Sequence, residues 1–135
     1  MFIFATKYSK IMIIEELKHT SELTVSEEMT ASAMGSGDMK VLATPAMVSI
    51  MENAAMLAVA PLLEDGCTTV GGYIEVSHLL PSKQGDKISA TAAVTKIEGK
   101  KIEFKVQAFS NNVLIGEGCH CRFIVDRKKF LERVK

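Results

Sequence analysis

The longest apolar stretch of the chain lies near its middle, at residues 46–60. Its sequence, Ala-Met-Val-Ser-Ile-Met-Glu-Asn-Ala-Ala-Met-Leu-Ala-Val-Ala, is apolar on nearly every side of a helix, which is typical of a buried one. Thr44 occupies the position of an N-cap, and Pro45 follows at the first helical position, where its missing N–H costs nothing. We therefore predict one buried helix from Thr44 to about residue 63, with Pro61 in its last turns.

Alternating polar and apolar residues elsewhere predict half-buried strands. One short run, residues 21–26, precedes the helix and is followed by a loop of small residues at 30–38. Gly99, Asn111 and Asn112 lie at tight junctions after the helix and tolerate the positive φ of hairpin turns, which indicates an antiparallel meander. The four runs of this meander, which a short charged helical tail follows, cover residues 69–80, 87–97, 101–110 and 113–126.

One strand, one long helix and four further strands predict an α+β fold in which an antiparallel sheet wraps around the central helix. At 135 residues the chain fits a single domain, residues 1–135, in which residues 1–11 are either native or an extension before an alternative start at Met12. A sheet covers only one side of a helix that is apolar all round. A lid or a second subunit must cover the rest, and a homodimer with joined sheets, alone or paired into a tetramer, is the simplest solution.

Composition excludes several classes of function. The formal net charge is zero, so the protein has no general attraction for nucleic acid or an anionic membrane. Cys67, Cys119 and Cys121 form neither a disulfide framework nor a metal site, which favours structural thiols in a reducing cytoplasm. The first apolar run is too short for a signal peptide or a membrane span, and no GxGxxG or Walker sequence supports nucleotide-dependent chemistry.

Glu52 is the conspicuous polar residue of the predicted buried helix, because a carboxylate in an apolar setting needs a partner or a raised pKa. Among its neighbours one turn away, only Ser49 can form a hydrogen bond. The structural alternatives are a salt bridge to Arg122 or a solvated position at the helix edge. We favour a functional carboxylate.

His78 lies on the first long strand after the helix, on the same face as Gly72, Ile74 and Val76. That face should meet the helix. A lone histidine on an apolar face is more often a core residue than a catalytic one. Together with Glu52, however, an imidazole directed at one interior site can supply general acid and base groups.

Thr44 is first a helix cap, but its hydroxyl also lies beside the free N–H groups of a helix N-terminus, which suit a developing oxyanion. Thr44 and Glu52 are eight positions apart, about 12 Å along the axis, which favours a site at a subunit interface. Gly71 and Gly72 suggest a close backbone approach to a ligand or a bulge. Arg122 can anchor Glu52, bind a ligand phosphate or be solvated.

The two segments Ala-Thr-Pro-Ala-Met-Val-Ser-Ile-Met-Glu, at 43–52, and Gly-Gly-Tyr-Ile-Glu-Val-Ser-His, at 71–78, resemble hot-dog thioesterases of the fluoroacetyl-CoA thioesterase type. Gly-Cys-His-Cys-Arg, at 118–122, follows in the same order, and the resemblance spans about residues 21–130. It implies a hot-dog fold and a dimer that hydrolyses acyl-CoA without metal or bound cofactor. The residues it implies are catalytic Thr44, Glu52 and His78, with Gly71 and Arg122 in the site; we add Gly72 as a substrate-binding candidate.

The resemblance also bears on the substrate. The fluoroacetyl-specific member carries aromatic residues in its lid, whereas residues 29–40 here contain none. We therefore expect hydrolysis of a small or medium acyl-CoA to the free acid and CoA. Two alternatives are a non-catalytic dimer that binds acyl-CoA or another metabolite, and a hydratase acting on enoyl-CoA.

Overall fold

The computed structural model of the protein describes residues 3–5 and 11–135. The prediction that residues 1–11 are an extension falls largely outside the described residues and stays a prediction. The strands of the described part are β1 (Ile3–Ala5), β2 (Ile11–Ile13), β3 (Lys18–Thr24), β4 (Cys67–His78), β5 (Lys87–Glu98), β6 (Lys101–Ser110) and β7 (Val113–Asp126). Its α-helices are α1 (Ala31–Met34), α2 (Thr44–Val59) and α3 (Arg127–Glu132).

Five strands form one antiparallel sheet in the order β3-β5-β6-β7-β4, while β1 and β2 pair separately. This arrangement confirms the predicted strand, helix and four further antiparallel strands, and β5, β6 and β7 form a meander. The prediction that all four strands form one meander is wrong, because β4 pairs with β7 and not with β5, and residues 79–86 between β4 and β5 are not a tight hairpin turn. The hairpin turns have the residues their geometry requires, since Gly99, Asn111 and Asn112 all adopt positive φ angles of 59°, 51° and 65°. Strand β3 (Lys18–Thr24), which corresponds to the predicted strand at residues 21–26, begins and ends earlier than predicted.

Helix α2 packs against one face of the sheet and forms the centre of the core. Its buried face carries small alanines, which allow close approach of the strands, alongside Met47, Ile50 and Met51. By length and composition Thr44–Leu62 is apolar enough to cross a membrane, but a core helix has the same composition. The strand residues that face α2 are fully buried, namely Ile88, Ile102, Phe104 and Val106.

Part of the outer side of α2 is not covered by any of the residues that the structure describes. Met56 and Leu57 are 36 % and 40 % exposed there. Strand β4, with 12 residues the longer of the two edge strands, presents Tyr73 at 52 % exposure. Such a long edge with free backbone groups invites pairing with another chain.

Two local predictions need correction. Ala43, not Thr44, is the N-cap of α2, and Thr44 makes no capping hydrogen bond, because its hydroxyl is bonded elsewhere. The predicted loop after the first strand contains the short helix α1, which Thr30 caps by accepting from the N–H of Ala33 at 3.3 Å. The chain leaves α1 through Gly35 in the left-handed conformation that glycine permits (φ 76°).

Candidate active site

A hydroxyl and an imidazole meet where α2 begins and β4 ends. Thr44 Oγ1 lies 2.8 Å from His78 Nδ1, within hydrogen-bond distance. The other ring nitrogen, His78 Nε2, is buried and has no hydrogen-bond partner among the described residues. Burial lowers the pKa of His78, and the nearby Leu80 backbone opposes this more weakly. The imidazole is therefore neutral near pH 7 and can accept a proton.

An open cleft of about 330 Å³ lies beside this pair. Its walls are mostly apolar, and the segment containing α1 forms one side of it. The residues lining it are Ala31, Ser36, Val41, Leu42, Thr44, His78, Leu79, Leu80 and Pro81. A small apolar group can therefore be held against the threonine and histidine.

Glu52 lies two turns further along α2, beside a buried guanidinium. Its Oε2 is 3.7 Å from Arg122 Nη1, and its side chain is 41 % exposed against 8 % for Arg122. Thr69 holds the rest of the guanidinium, since Nε donates to its hydroxyl at 2.8 Å and Nη2 to its carbonyl at 3.0 Å. Burial lowers the pKa of Arg122 and Glu52 raises it, so the carboxylate supports the buried charge. Of the three alternatives for Arg122, its contacts match anchoring of Glu52.

The two neighbouring glycines of β4 face opposite ways. A Cβ on Gly71 would stand 2.8 Å from Glu52 Oε2, so the absent side chain makes room for the carboxylate. A Cβ on Gly72 would instead meet the ring of Phe123. The register shifts between Gly71 and Tyr73, which confirms the bulge we considered for this pair. Our prediction that Gly72 shares the face of His78 is therefore wrong, and this geometry gives it no place beside Glu52.

Comparisons with known proteins show the family of the chain. A family model described as fluoroacetyl-CoA-specific thioesterase matches residues 25–128. The fluoroacetyl-CoA thioesterase of Streptantibioticus cattleyicolor is 34 % identical over 96 residues, which cover 71 % of this chain and 69 % of that protein. The chain belongs to the fluoroacetyl-CoA-specific thioesterase family. Membership confirms the predicted class of enzyme, a thioester hydrolase.

Solved structures agree with the family and the fold. A variant of the fluoroacetyl-CoA-specific thioesterase, crystallised with fluoroacetate and CoA, superimposes with a TM-score of 0.82 at 30 % identity, covering 88 % of this chain and 99 % of that one. A hot-dog-like protein from Thermanaerovibrio acidaminovorans has a TM-score of 0.78 at 23 % identity, covering 91 % and 95 % of the two chains. The predicted hot-dog fold is thus confirmed.

In this thioesterase the predicted site residues form two groups. Thr44 contacts His78 at the beginning of α2, whereas Glu52 lies with Gly71 and Arg122 about 12 Å further along the helix axis. No contact within the described residues joins Glu52 to His78. A single chain therefore presents the groups of the predicted triad in two places.

Sequence reasoning missed two members of the group around Glu52. Thr69 holds Arg122 through both its hydroxyl and its carbonyl, and His120 accepts from Arg122 Nη1 at 3.2 Å. Strand alternation already puts His120 and Arg122 on one face. This shared face was the sequence signal that His120 could lie beside Arg122. It did not show that both side chains are buried.

Proposed function

We propose that this thioesterase is a homodimer that hydrolyses a small or medium acyl-CoA to the free acid and CoA, using Thr44, His78 and Glu52. The observation that carries the proposal is the 2.8 Å contact between Thr44 Oγ1 and His78 Nδ1 at the edge of an apolar cleft. Family membership supports the reaction class. No metal or bound cofactor takes part in the proposed reaction.

The three groups have complementary chemistry for cleaving a thioester. Glu52 acts as the nucleophile or as the base that removes a proton from water. Thr44 orients the water or the carbonyl, since its hydroxyl can both donate and accept. Neutral His78 exchanges protons, and the departing CoA sulfur finally receives one. Gly71 allows the backbone to approach the thioester oxygen.

A second copy of the chain brings the two groups of residues together. Val48 lies midway between Thr44 and Glu52 on α2. If two α2 helices pack antiparallel around a twofold axis near this midpoint, Thr44 of one subunit lies beside Glu52 of the partner subunit. The exposed Met56 and Leu57 support this choice of interface, as does the outer edge of β4, which pairs with no other described strand. The cytoplasm is the proposed location, supported by three free cysteines.

An acyl-CoA panel with a thiol reagent tests the reaction directly. We expect CoA release from acyl groups of small or medium length, together with the matching free acid. Loss of enoyl absorbance without free thiol would instead identify a hydratase. Ligand-induced stabilisation without turnover would identify a binding protein, and either result would reject the proposed hydrolysis.

Mixed dimers test the shared site. A dimer of one Thr44→Ala chain and one Glu52→Gln chain keeps one complete site if the site combines residues of two subunits. Random mixing of these two inactive variants should then restore roughly a quarter of the wild-type activity. If each chain carries its whole site, every site in the mixture is defective and no activity returns. Size-exclusion chromatography with light scattering checks that the mixture is dimeric.

A further inference from the structure

His120 is a fully buried histidine that the proposed reaction does not use. It is 1 % exposed and stacks on Phe104, with ring centroids 5.9 Å apart. Its Nδ1 lies 2.7 Å from the backbone carbonyl oxygen of Tyr73. Because a carbonyl oxygen can only accept, Nδ1 must carry the hydrogen of this bond.

The second ring nitrogen of His120 has the opposite role. Its Nε2 lies 3.2 Å from Arg122 Nη1, and a guanidinium can only donate. Nε2 must therefore be unprotonated, so the two contacts together fix a neutral imidazole with its hydrogen on Nδ1. Burial is the main cause that lowers the pKa of His120, and the charge of Arg122 lowers it further. The Tyr73 carbonyl and the charge of Glu52 oppose this, but the net pKa is lowered, which agrees with the neutral state.

Arg122 is held at three of its nitrogens by fixed partners. Thr69 binds Nε and Nη2, and His120 binds Nη1, the same nitrogen that lies 3.7 Å from Glu52 Oε2. A planar guanidinium anchored on two sides has little freedom to rotate. Nη1 also forms an ion pair with the carboxylate, at a distance longer than a hydrogen bond.

We propose that His120 is a positioning residue, whose unprotonated Nε2 holds Arg122 Nη1 in place and so fixes the Glu52 carboxylate for thioester hydrolysis. This inference rests on the proposed function, since it assigns His120 a task only if Glu52 reacts. It differs from a packing role, in which the ring of His120 would only fill space beside Phe104.

Two matched variants separate positioning from packing. The terminal oxygen of Gln lies about where Nε2 does, so His120→Gln keeps an acceptor for Arg122 but loses the bond to Tyr73. The amide nitrogen of Asn lies about where Nδ1 does, so His120→Asn keeps the bond to Tyr73 but loses the acceptor. Both variants lose the stack on Phe104, and the shorter Asn also leaves more empty space at this buried position.

The expected result is a difference in kcat. His120→Asn should lower kcat about tenfold to a hundredfold, because a displaced catalytic group costs rate even when substrate still binds. Its KM should change little, and His120→Gln should keep most of the wild-type kcat. Equal losses in the two variants, or no loss in either, would overturn the positioning role. Circular dichroism and the dimer mass check that both variants are folded.

Nuclear magnetic resonance gives a measurement that does not depend on turnover. Long-range correlation of the imidazole nitrogens should show His120 with Nδ1 protonated and Nε2 unprotonated at neutral pH. The opposite tautomer or a charged ring would overturn the inference even if the enzyme is active. A wild-type protein that releases no CoA from any substrate would reject the proposed function and, with it, the catalytic task of His120. In that case the expected tautomer would remain as a structural property alone.

Discussion

Two polar groups lie along the same helix, and each contains a histidine, but their hydrogen bonds differ. Near the start of α2, His78 has one bonded nitrogen, contacted by Thr44, and one buried nitrogen without a described partner, beside an open cleft. In the group around Glu52, two turns further along α2, His120 of strand β7 has both ring nitrogens in hydrogen bonds, one to Tyr73 and one to Arg122. Burial lowers the pKa of both rings.

This difference separates a group that can react from one that holds its neighbours. In the tautomer whose Nδ1–H donates to Thr44 Oγ1, the free Nε2 of His78 can accept a proton, whereas a ring with both nitrogens in hydrogen bonds must break one of them first. The second group nevertheless presents a carboxylate at its surface, because Glu52 is partly exposed while Arg122 beside it is buried. In the proposed reaction, one end of the helix supplies the proton and the other end supplies the carboxylate.

The largest expected effect comes from removing the carboxylate. Glu52→Gln keeps the shape of the side chain but cannot act as base or nucleophile, so kcat should fall about a hundredfold to ten-thousandfold. Steady-state CoA release measures this loss. Glu64→Gln, an exposed position after α2, is the matched control and should keep wild-type activity. Near-normal turnover by Glu52→Gln would assign the chemistry to the pair Thr44 and His78 alone.

A smaller effect is expected from the adjacent glycines of β4. Gly71→Ala places a methyl group 2.8 Å from Glu52 Oε2, so the carboxylate must move. We expect kcat to fall about tenfold to a hundredfold, while the free energy of unfolding changes by less than about 1 kcal/mol. Gly72→Ala is the control, because its methyl group would meet Phe123 instead. It should cost stability rather than kcat, as measured by urea unfolding beside the activity assay.

If both alanine variants lose activity equally, it does not matter for catalysis that the two glycines face opposite sides of the sheet. If only Gly72→Ala loses activity, the site lies on the Phe123 side of the sheet, and Glu52 with its neighbours belongs to the core alone. Either result would contradict the distinction between the group around His78 and the group that positions Glu52.

Much of the fold was predictable because its signals are local. The apolar run of α2, the hairpin residues and the alternation along β6 each act over a few residues, and all were placed correctly. His78 also lies on the predicted inner face, with Ile74 and Val76 partly buried beside it.

The errors arose where a distant contact or a bulge overrides a local rule. Thr44 fits an N-cap by sequence, yet its hydroxyl bonds to His78, 34 positions away, and the backbone of Ala43 begins the helix. Gly72 was assigned a face by counting alternate residues, but a bulge reverses that count. The bonds of His120 required knowing that β4 and β7 are paired.

The smallest expected effect is on the pH dependence of stability. The pKa of His120 is lowered in the folded state, so the unfolded chain binds more protons below its own pKa of about 6.5. The free energy of unfolding should therefore fall as the pH drops below about 6.5 and level off above it. His120→Gln should flatten this slope more than His78→Gln, because His120 is fully buried and His78 only partly. Urea unfolding at one protein concentration measures both slopes, with exposed His19→Gln as the control. An unchanged slope in His120→Gln would mean that His120 binds protons as readily in the folded protein as in the unfolded chain. Its bond to Arg122 would then not keep the ring neutral, and the contrast between the two histidines would fail.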